Sequence, residues 1–342
     1  MLKKIAMKHC PKNDIRLFGL IFVVLVTAWP VPGAAQLTKL QVAYPTTVGS
    51  MAVVWITKEG GYFARNGLDV ALIYIAGSSR VVQAMLAREL AVAEIAIPAV
   101  IQANLAGADL VMLAGPNHKP GQKLMVKPEI KRPEEVKGRK LGVTRFGTSD
   151  DFLLRYLLAR WGLQPDREVP LIQMGGSQEI LAGLASGSVD GGVLSSPLNL
   201  RALKLGFHML VDLSAIGVDY QGAGVVTTRS FVRENADTIR RYLKAYVEGL
   251  HRFKTDPEFS LKVLAKYSRI TERDMLEETY RHYAVKVMPR VPYPTVKGIQ
   301  LVLDEIAQRN PKAKAVAPES LLDLAYLKEI EASGLVKSLY EK

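Results

Sequence analysis

Two stretches of this chain repeat one another element by element, about 99 residues apart. The first reads LQVAYPTTVGSM, then a helical stretch, then GLDVALIYIAGSSRVVQAMLARELAVAEIAIPAV. The second reads LGVTRFGTSDDF, a helical stretch, then GLQPDREVPLIQMGGSQEILAGLASGSVDGGVLSSPL. Residues 40–45 align with 141–146, Gly67-Leu68 with Gly162-Leu163, Gly77-Ser78 with Gly176-Ser177, and 93–98 with 192–197. Such a spacing is too long for a solenoid repeat. Continuous apolar runs such as VALIYI predict strands buried on both faces, as in a parallel sheet. Helices alternating with them predict a doubly wound α/β architecture, built twice.

The remainder, from residue 230, does not continue the repeat. Helices are expected at 236–254, 258–267, 271–284, 295–309 and 318–340. Asn235 is a candidate cap for the first of them, and Thr295 and Pro318-Glu319 are candidate starts further on. These helices are expected to pack on the first lobe. The lobes would then be 36–125 plus 223–342, and 126–222. The chain would cross near 123–127 and 222–228, and two crossings suggest a hinge.

In doubly wound sheets, ligands bind where strands end and loops enter helices. The repeat places small polar residues at those points in both halves: Thr46, Thr47 and Ser50; Ser78 and Ser79; Thr148 and Ser149; Ser177; Ser195 and Ser196. Ala99 occupies the third such point of the first half. If the lobes face each other, these loops converge on one cleft.

The step Gly147-Thr148-Ser149 opens a helix. Its hydroxyls can cap that helix, or they can turn with the leading amides toward an anion. Hydrogen bonds to a charged ligand contribute about 1.5–3 kcal/mol each, so several together reach micromolar affinity, near 8 kcal/mol. Asp150 and Asp151 follow. They suit the helix dipole, or one of them meets an ammonium or ring nitrogen. Arg145 points to solvent, to the aspartates, or into the cleft as an anion clamp. Gly175-Gly176-Ser177 and Gly77-Ser78-Ser79 let backbone amides approach a ligand closely. Trp55 and Trp161 are expected in the cores. Tyr44, Phe146 and Tyr220 lie nearer the cleft.

The start of the chain has its own logic. Lys3, Lys4, Lys8, Lys12 and Arg16 precede the apolar run LFGLIFVVLVTAW at 17–29, followed by Pro30, Pro32 and Gly33-Ala34-Ala35. That is the layout of a secretory signal cleaved after Ala35. A membrane anchor would need about 20 apolar residues. Cys10 is the single cysteine and precedes that cleavage point. The remainder therefore carries no disulfide, and thiol chemistry is excluded. Some 300 residues supply a core large enough without one.

The formal charge is +12; five basic residues and one acidic lie in 1–35, which leaves +8. No basic tract is interleaved with aromatics, so a solvated surface is expected and not a nucleic-acid footprint. The histidines, His9, His118, His208, His251 and His282, show no zinc-type spacing such as HExxH. No GxSxG elbow, Walker loop or GxGxxG occurs. No metal, cofactor or catalytic residue is expected, and the chain reads as a binder.

The stretches KEGGYFARNGLDVAL, GSSRVVQAMLAREL and GRKLGVTRFGTSDDFLLRYLLARWGLQPDREV resemble the periplasmic substrate-binding proteins of ABC importers. Their branch is that of nitrate, sulfonate, taurine and thiamine-precursor receptors. The resemblance covers about 37–270. It implies a type II periplasmic-binding fold that closes on a small ligand and delivers it to an inner-membrane permease. It maps the family's ligand loops onto Thr46, Thr47, Ser78, Ser79, Pro98, Ala99, Thr148, Ser149, Gly176, Ser177, Ser195 and Ser196. A pyrimidine-synthesising relative depends on a cysteine-rich motif that residues 36–342 lack.

The expectation is therefore a monomeric periplasmic receptor for a small anion or zwitterion of sulfonate or carboxylate type. Its partners would be that ligand and, transiently, a permease. A sensor subunit for a signalling receptor and an exported enzyme on the same fold are the alternatives.

Overall fold

Two five-stranded sheets share one strand order. The computed structural model describes residues 36–341; the expected signal sequence and Cys10 lie outside them. The first sheet is built from β1 (Thr38–Tyr44), β2 (Leu68–Tyr74), β3 (Val92–Ala96), β4 (Leu110–Ala114) and β10 (Ala223–Thr228). The second contains β5 (Gln122–Val126), β6 (Leu141–Val143), β7 (Leu171–Gln173), β8 (Gly191–Ser195) and β9 (His208–Asp212). Their orders are β2-β1-β3-β10-β4 and β7-β6-β8-β5-β9.

The equivalence extends to direction. β1 runs parallel to β2 and β3, and β6 runs parallel to β7 and β8. β10 is antiparallel to β3 and β4, and β5 is antiparallel to β8 and β9. Each antiparallel strand is the first that the chain forms after arriving from the other sheet. β3 (VAEIA), β4 (LVMLA) and β8 (GGVLS) are buried along their whole length. That is why, Glu94 of β3 apart, they read as apolar or small-residue runs.

Helices flank both sheets: α1 (Ala52–Glu59), α2 (Tyr62–Arg65), α3 (Ser78–Leu86) and α4 (Ile97–Leu105) in the first half, α5 (Ser149–Arg160), α6 (Ser177–Ser186) and α7 (Leu198–Lys204) in the second. After β10 come α8 (Arg229–Glu234), α9 (Ala236–Thr255), α10 (Pro257–Ser268), α11 (Arg273–Tyr280), a π-helical turn at Arg281–Val287, α12 (Val296–Ala307), α13 (Ala325–Ala332) and α14 (Leu335–Tyr340).

The C-terminal helices pack on the first sheet, as expected. Tyr242 of α9 stacks on Phe63 with ring centroids 5.0 Å apart, and Arg241 donates to Gly67 O at 2.9 Å. Both tyrosine and phenylalanine are fully buried, which anchors α9 by apolar burial of about 1.5–3 kcal/mol per large side chain. Trp55 is fully buried and stacks on Tyr267 at 4.8 Å, while Trp161 is only half-buried against the second core.

Three expectations are corrected. The stretch 318–340 is not one helix: a 3-10 turn at Pro318–Leu321 precedes α13, and Gly334 (φ 77°) separates α13 from α14. Asn235 holds the N-cap position of α9, but its Nδ2 donates back to Phe231 O at 3.3 Å and caps nothing. β5 lies wholly in the second sheet, so the first passage runs through residues 115–121, upstream of 123–127. Lys123 is fixed there by Asp212 of β9 at 2.6 Å. The return passage runs through 216–222. Thr295 does cap α12, accepting from Gly298 N at 3.3 Å.

Candidate functional site

The loops at the strand ends of both sheets enclose one cavity of about 620 Å3, its mouth included. From the first sheet come Thr46, Ser50, Met51 and Ser78. From the second come Thr144, Thr148, Ser149, Asp150, Ser177 and Ser195. The passages between sheets add Asn117, Lys119 and Tyr220, the start of β5 adds Gln122, and the π-helical turn adds Tyr283.

Two hydroxyl pairs border the cavity, one between the two halves and one between the second half and the returning passage. Thr46 Oγ1 and Ser177 Oγ lie 3.0 Å apart, and Ser149 Oγ and Tyr220 Oη lie 2.6 Å apart. Gly49 N also donates to Ser196 O at 3.0 Å.

Helices α3, α5 and α6 start at this cavity, and none of them is capped by a side chain. The N-cap residues of α3 and α6 are Gly77 and Gly176, which have nothing to cap with. The N-cap of α5 is Thr148, whose hydroxyl instead donates to Arg145 O at 2.7 Å. The simple capping role is therefore absent, and the leading amides of these helices are free of side-chain caps. Gly77 is required for its conformation: at φ 85° other residues are strained, and a Cβ would lie 2.8 Å from Arg145 Cδ.

Tyr283 reaches the cavity because its neighbours are small. A Cβ on Gly49 would sit 2.5 Å from its ring, and one on Gly121 would sit 2.6 Å from its hydroxyl. That hydroxyl bonds with Ser195 and Ser50, one from each sheet. Burial pushes the Tyr283 and Tyr220 phenols up, so both stay neutral donors.

Asp150 and Asp151 part company. Asp151 Oδ2 accepts from Gly147 N at 2.9 Å and Oδ1 pairs with Arg155 Nε at 2.6 Å. Asp150 faces the cavity with no ion pair among the described residues. Burial pushes its carboxyl up to about 6, against hydrogen bonds from Thr144 and Gln122.

Of the residues singled out from sequence, Thr46, Ser50, Ser78, Thr148, Ser149, Asp150, Ser177, Ser195 and Tyr220 line the cavity. Their partners point elsewhere because adjacent side chains diverge at strand ends and helix starts. Thr47 faces an outer groove with Tyr44, Tyr74 and Arg269. Ser79 and Ala99 face a surface recess beside Gln102. Pro98 is buried in the first turn of α4. Gly176 lies against Tyr74. Ser196 donates to Asn199 Oδ1 at 2.9 Å. Arg145 donates from Nε to Ala76 O at 3.2 Å and lies outside the cavity lining.

Phe146 is exposed under the Arg155 guanidinium. Asn117, Gln122, Thr144 and Tyr283 were not foreseen. Only Thr144 had a local signal, its place at the end of β6.

Two sheets of this order, each completed by an antiparallel strand from the returning chain and facing across one cavity, make up the type II periplasmic-binding fold. The profile of the family described as NMT1/THI5 like matches residues 49–260, and this chain belongs to that family.

Over 252 residues it is 22% identical to the taurine-binding periplasmic protein of Escherichia coli (strain K12), covering 70% of this chain and 76% of that one. The periplasmic nitrate-binding protein NrtA from Synechocystis PCC 6803 superposes with TM-score 0.73 at 15% identity, covering 89% of this chain and 91% of that one. The alkanesulfonate-binding protein SsuA from Xanthomonas axonopodis pv. citri, bound to MOPS, superposes with TM-score 0.70 at 18% identity, over 85% and 100% of the two chains.

Proposed function

We propose that this chain is the substrate-binding component of an ABC importer, a binder and not an enzyme. The observation that carries it is a cavity lined from both sheets by hydroxyls and by helix starts without side-chain caps. Nitrate- and alkanesulfonate-binding proteins share the fold and a taurine-binding protein is similar in sequence, which supports a small polar ligand. Among the described residues no helix is long and apolar enough to cross a membrane. With the sequence features of 1–35, this is in keeping with export to the periplasm.

The two lobes are the units built on the two sheets, and residues 115–121 and 216–222 form the hinge between them. Ligand binding favours the closed state through contacts available only when both lobes meet it. The permease recognises that closed form, and the receptor acts as a monomer.

The test is Thr148→Ala combined with Ser149→Ala in residues 36–342. Affinity for the ligand, identified by native mass spectrometry or a thermal-shift screen, should fall roughly tenfold while the chain stays folded. Unchanged affinity by calorimetry overturns the assignment of this loop.

A further inference from the structure

Buried or partly buried aspartates on the second sheet's half have cations. Asp151 has Arg155, Asp190 has Lys127 and Asp212 has Lys123, each at 2.6 Å. Asp150 has none among the described residues, although it is partly buried where it lines the cavity. Its neighbours are the Thr144 hydroxyl and amide and the Gln122 side chain, which are neutral donors. The charged and titratable groups around it are Asp151 on its own helix, already held by Arg155, Lys119 on the passage between sheets, and the Tyr220 and Tyr283 phenols. Lys119 is exposed at the rim. A carboxylate removed from water without a counterion is costly, and a cationic donor entering the cavity relieves that cost.

We propose, resting on the receptor reading above, that Asp150 selects a zwitterion: a small acid that also carries an ammonium or protonated ring nitrogen, which Asp150 binds. Its anionic end meets hydroxyls and amides across the cavity, where the first turn of α3 carries no acidic residue. The carboxyl, standing near 6 in the empty protein, then ionises fully when the cation arrives. Below that pH the ligand must displace a proton, and affinity falls by up to about tenfold per unit. Plain anions of the same shape leave Asp150 without a partner and bring a second negative charge beside it.

The test uses residues 36–342 with two readouts. The Asp150 carboxyl, assigned by its absence in Asp150→Asn, is titrated by carbon NMR in potassium chloride and in methylammonium chloride of equal ionic strength. Methylammonium should lower the midpoint by about one unit; an unmoved midpoint overturns the proposal. Taurine and β-alanine are then compared by calorimetry with ethanesulfonate and propionate. The amino compounds should bind roughly tenfold more tightly, and Asp150→Asn should cut that preference below about twofold.

Equal binding of the deaminated partners overturns the selection of zwitterions and leaves the receptor reading intact. If none of the four binds and native mass spectra of the purified protein carry no cargo, the receptor reading fails, and the methylammonium titration still decides the chemistry of Asp150.

Discussion

Thr46 Oγ1 and Ser177 Oγ stand 3.0 Å apart although 131 residues separate them along the chain. They are equivalent in kind, each a hydroxyl at the strand-to-helix side of its own half, and each turns inward while Thr47 and Gln178 turn to the outer groove. A neutral hydrogen bond of this sort contributes about 0.5–1.5 kcal/mol. Thr46→Val with Ser177→Ala removes both partners together, so no polar group is stranded. Ligand affinity should fall about three- to tenfold, with the melting temperature little changed, as measured by calorimetry and thermal unfolding.

Tyr283 is held between Gly49 and Gly121, and its ring has no room to retreat. Gly121→Ala places a methyl 2.6 Å from the phenol oxygen. Overpacking of a closed core costs about 1–3 kcal/mol. The variant should melt lower and bind ligand more weakly. Adding Tyr283→Phe, which removes the clashing oxygen, should restore part of the stability in a double-mutant cycle.

Glu94 sits in the middle of β3, fully buried, beside the Tyr242 and Tyr246 phenols of α9. Burial pushes its carboxyl up to about 8. The folded chain thus holds a proton that the unfolded chain has lost between the usual carboxylate range and pH 8. Stability is full below about pH 4.5 and declines as pH rises through about 8, by at most about 1.4 kcal/mol per pH unit. Glu94→Gln should flatten that slope in guanidinium unfolding at pH 5, 7 and 9. An identical slope in both proteins would rule Glu94 out as its source.

Arg155 lies between Asp151 and Asp166, with side-chain exposure of 14% against 6% for Asp151. Removing one partner of a buried pair strands the other. Arg155→Met should cost about 3 kcal/mol and loosen the loop at Gly147, whose amide Asp151 holds. Adding Asp151→Asn should recover much of the loss, which denaturant unfolding of the single and double variants would measure.

The repeat carried the fold. Apolar runs such as VALIYI and the matched glycine-serine steps follow from local composition, so two α/β halves, their order of elements and the strand-end loops could be read directly; the burial of VALIYI on both faces could not, because β2 is an edge strand with Ala71 and Tyr74 exposed. The family resemblance rested on the same residues. The candidate site was half legible for the same reason: Thr46, Ser78, Thr148, Ser149, Ser177 and Ser195 all lie at strand-to-helix junctions, and the junctions are local features.

Tertiary structure alone decided the rest. Which residue of each adjacent pair faces the cavity depends on backbone rotation at the junction, so Thr47, Ser79 and Ser196 point away while their neighbours line it. Tyr283 enters from a helical region with no repeat, admitted by two glycines that are distant in sequence. Asp150 and Asp151 are chemically identical in sequence. They differ because Arg155, one turn along α5, reaches Asp151, while Asp150 meets only neutral donors from Thr144 and Gln122. Sequence sets the periodicity that makes the elements; the charge each side chain finds beside it is set by packing.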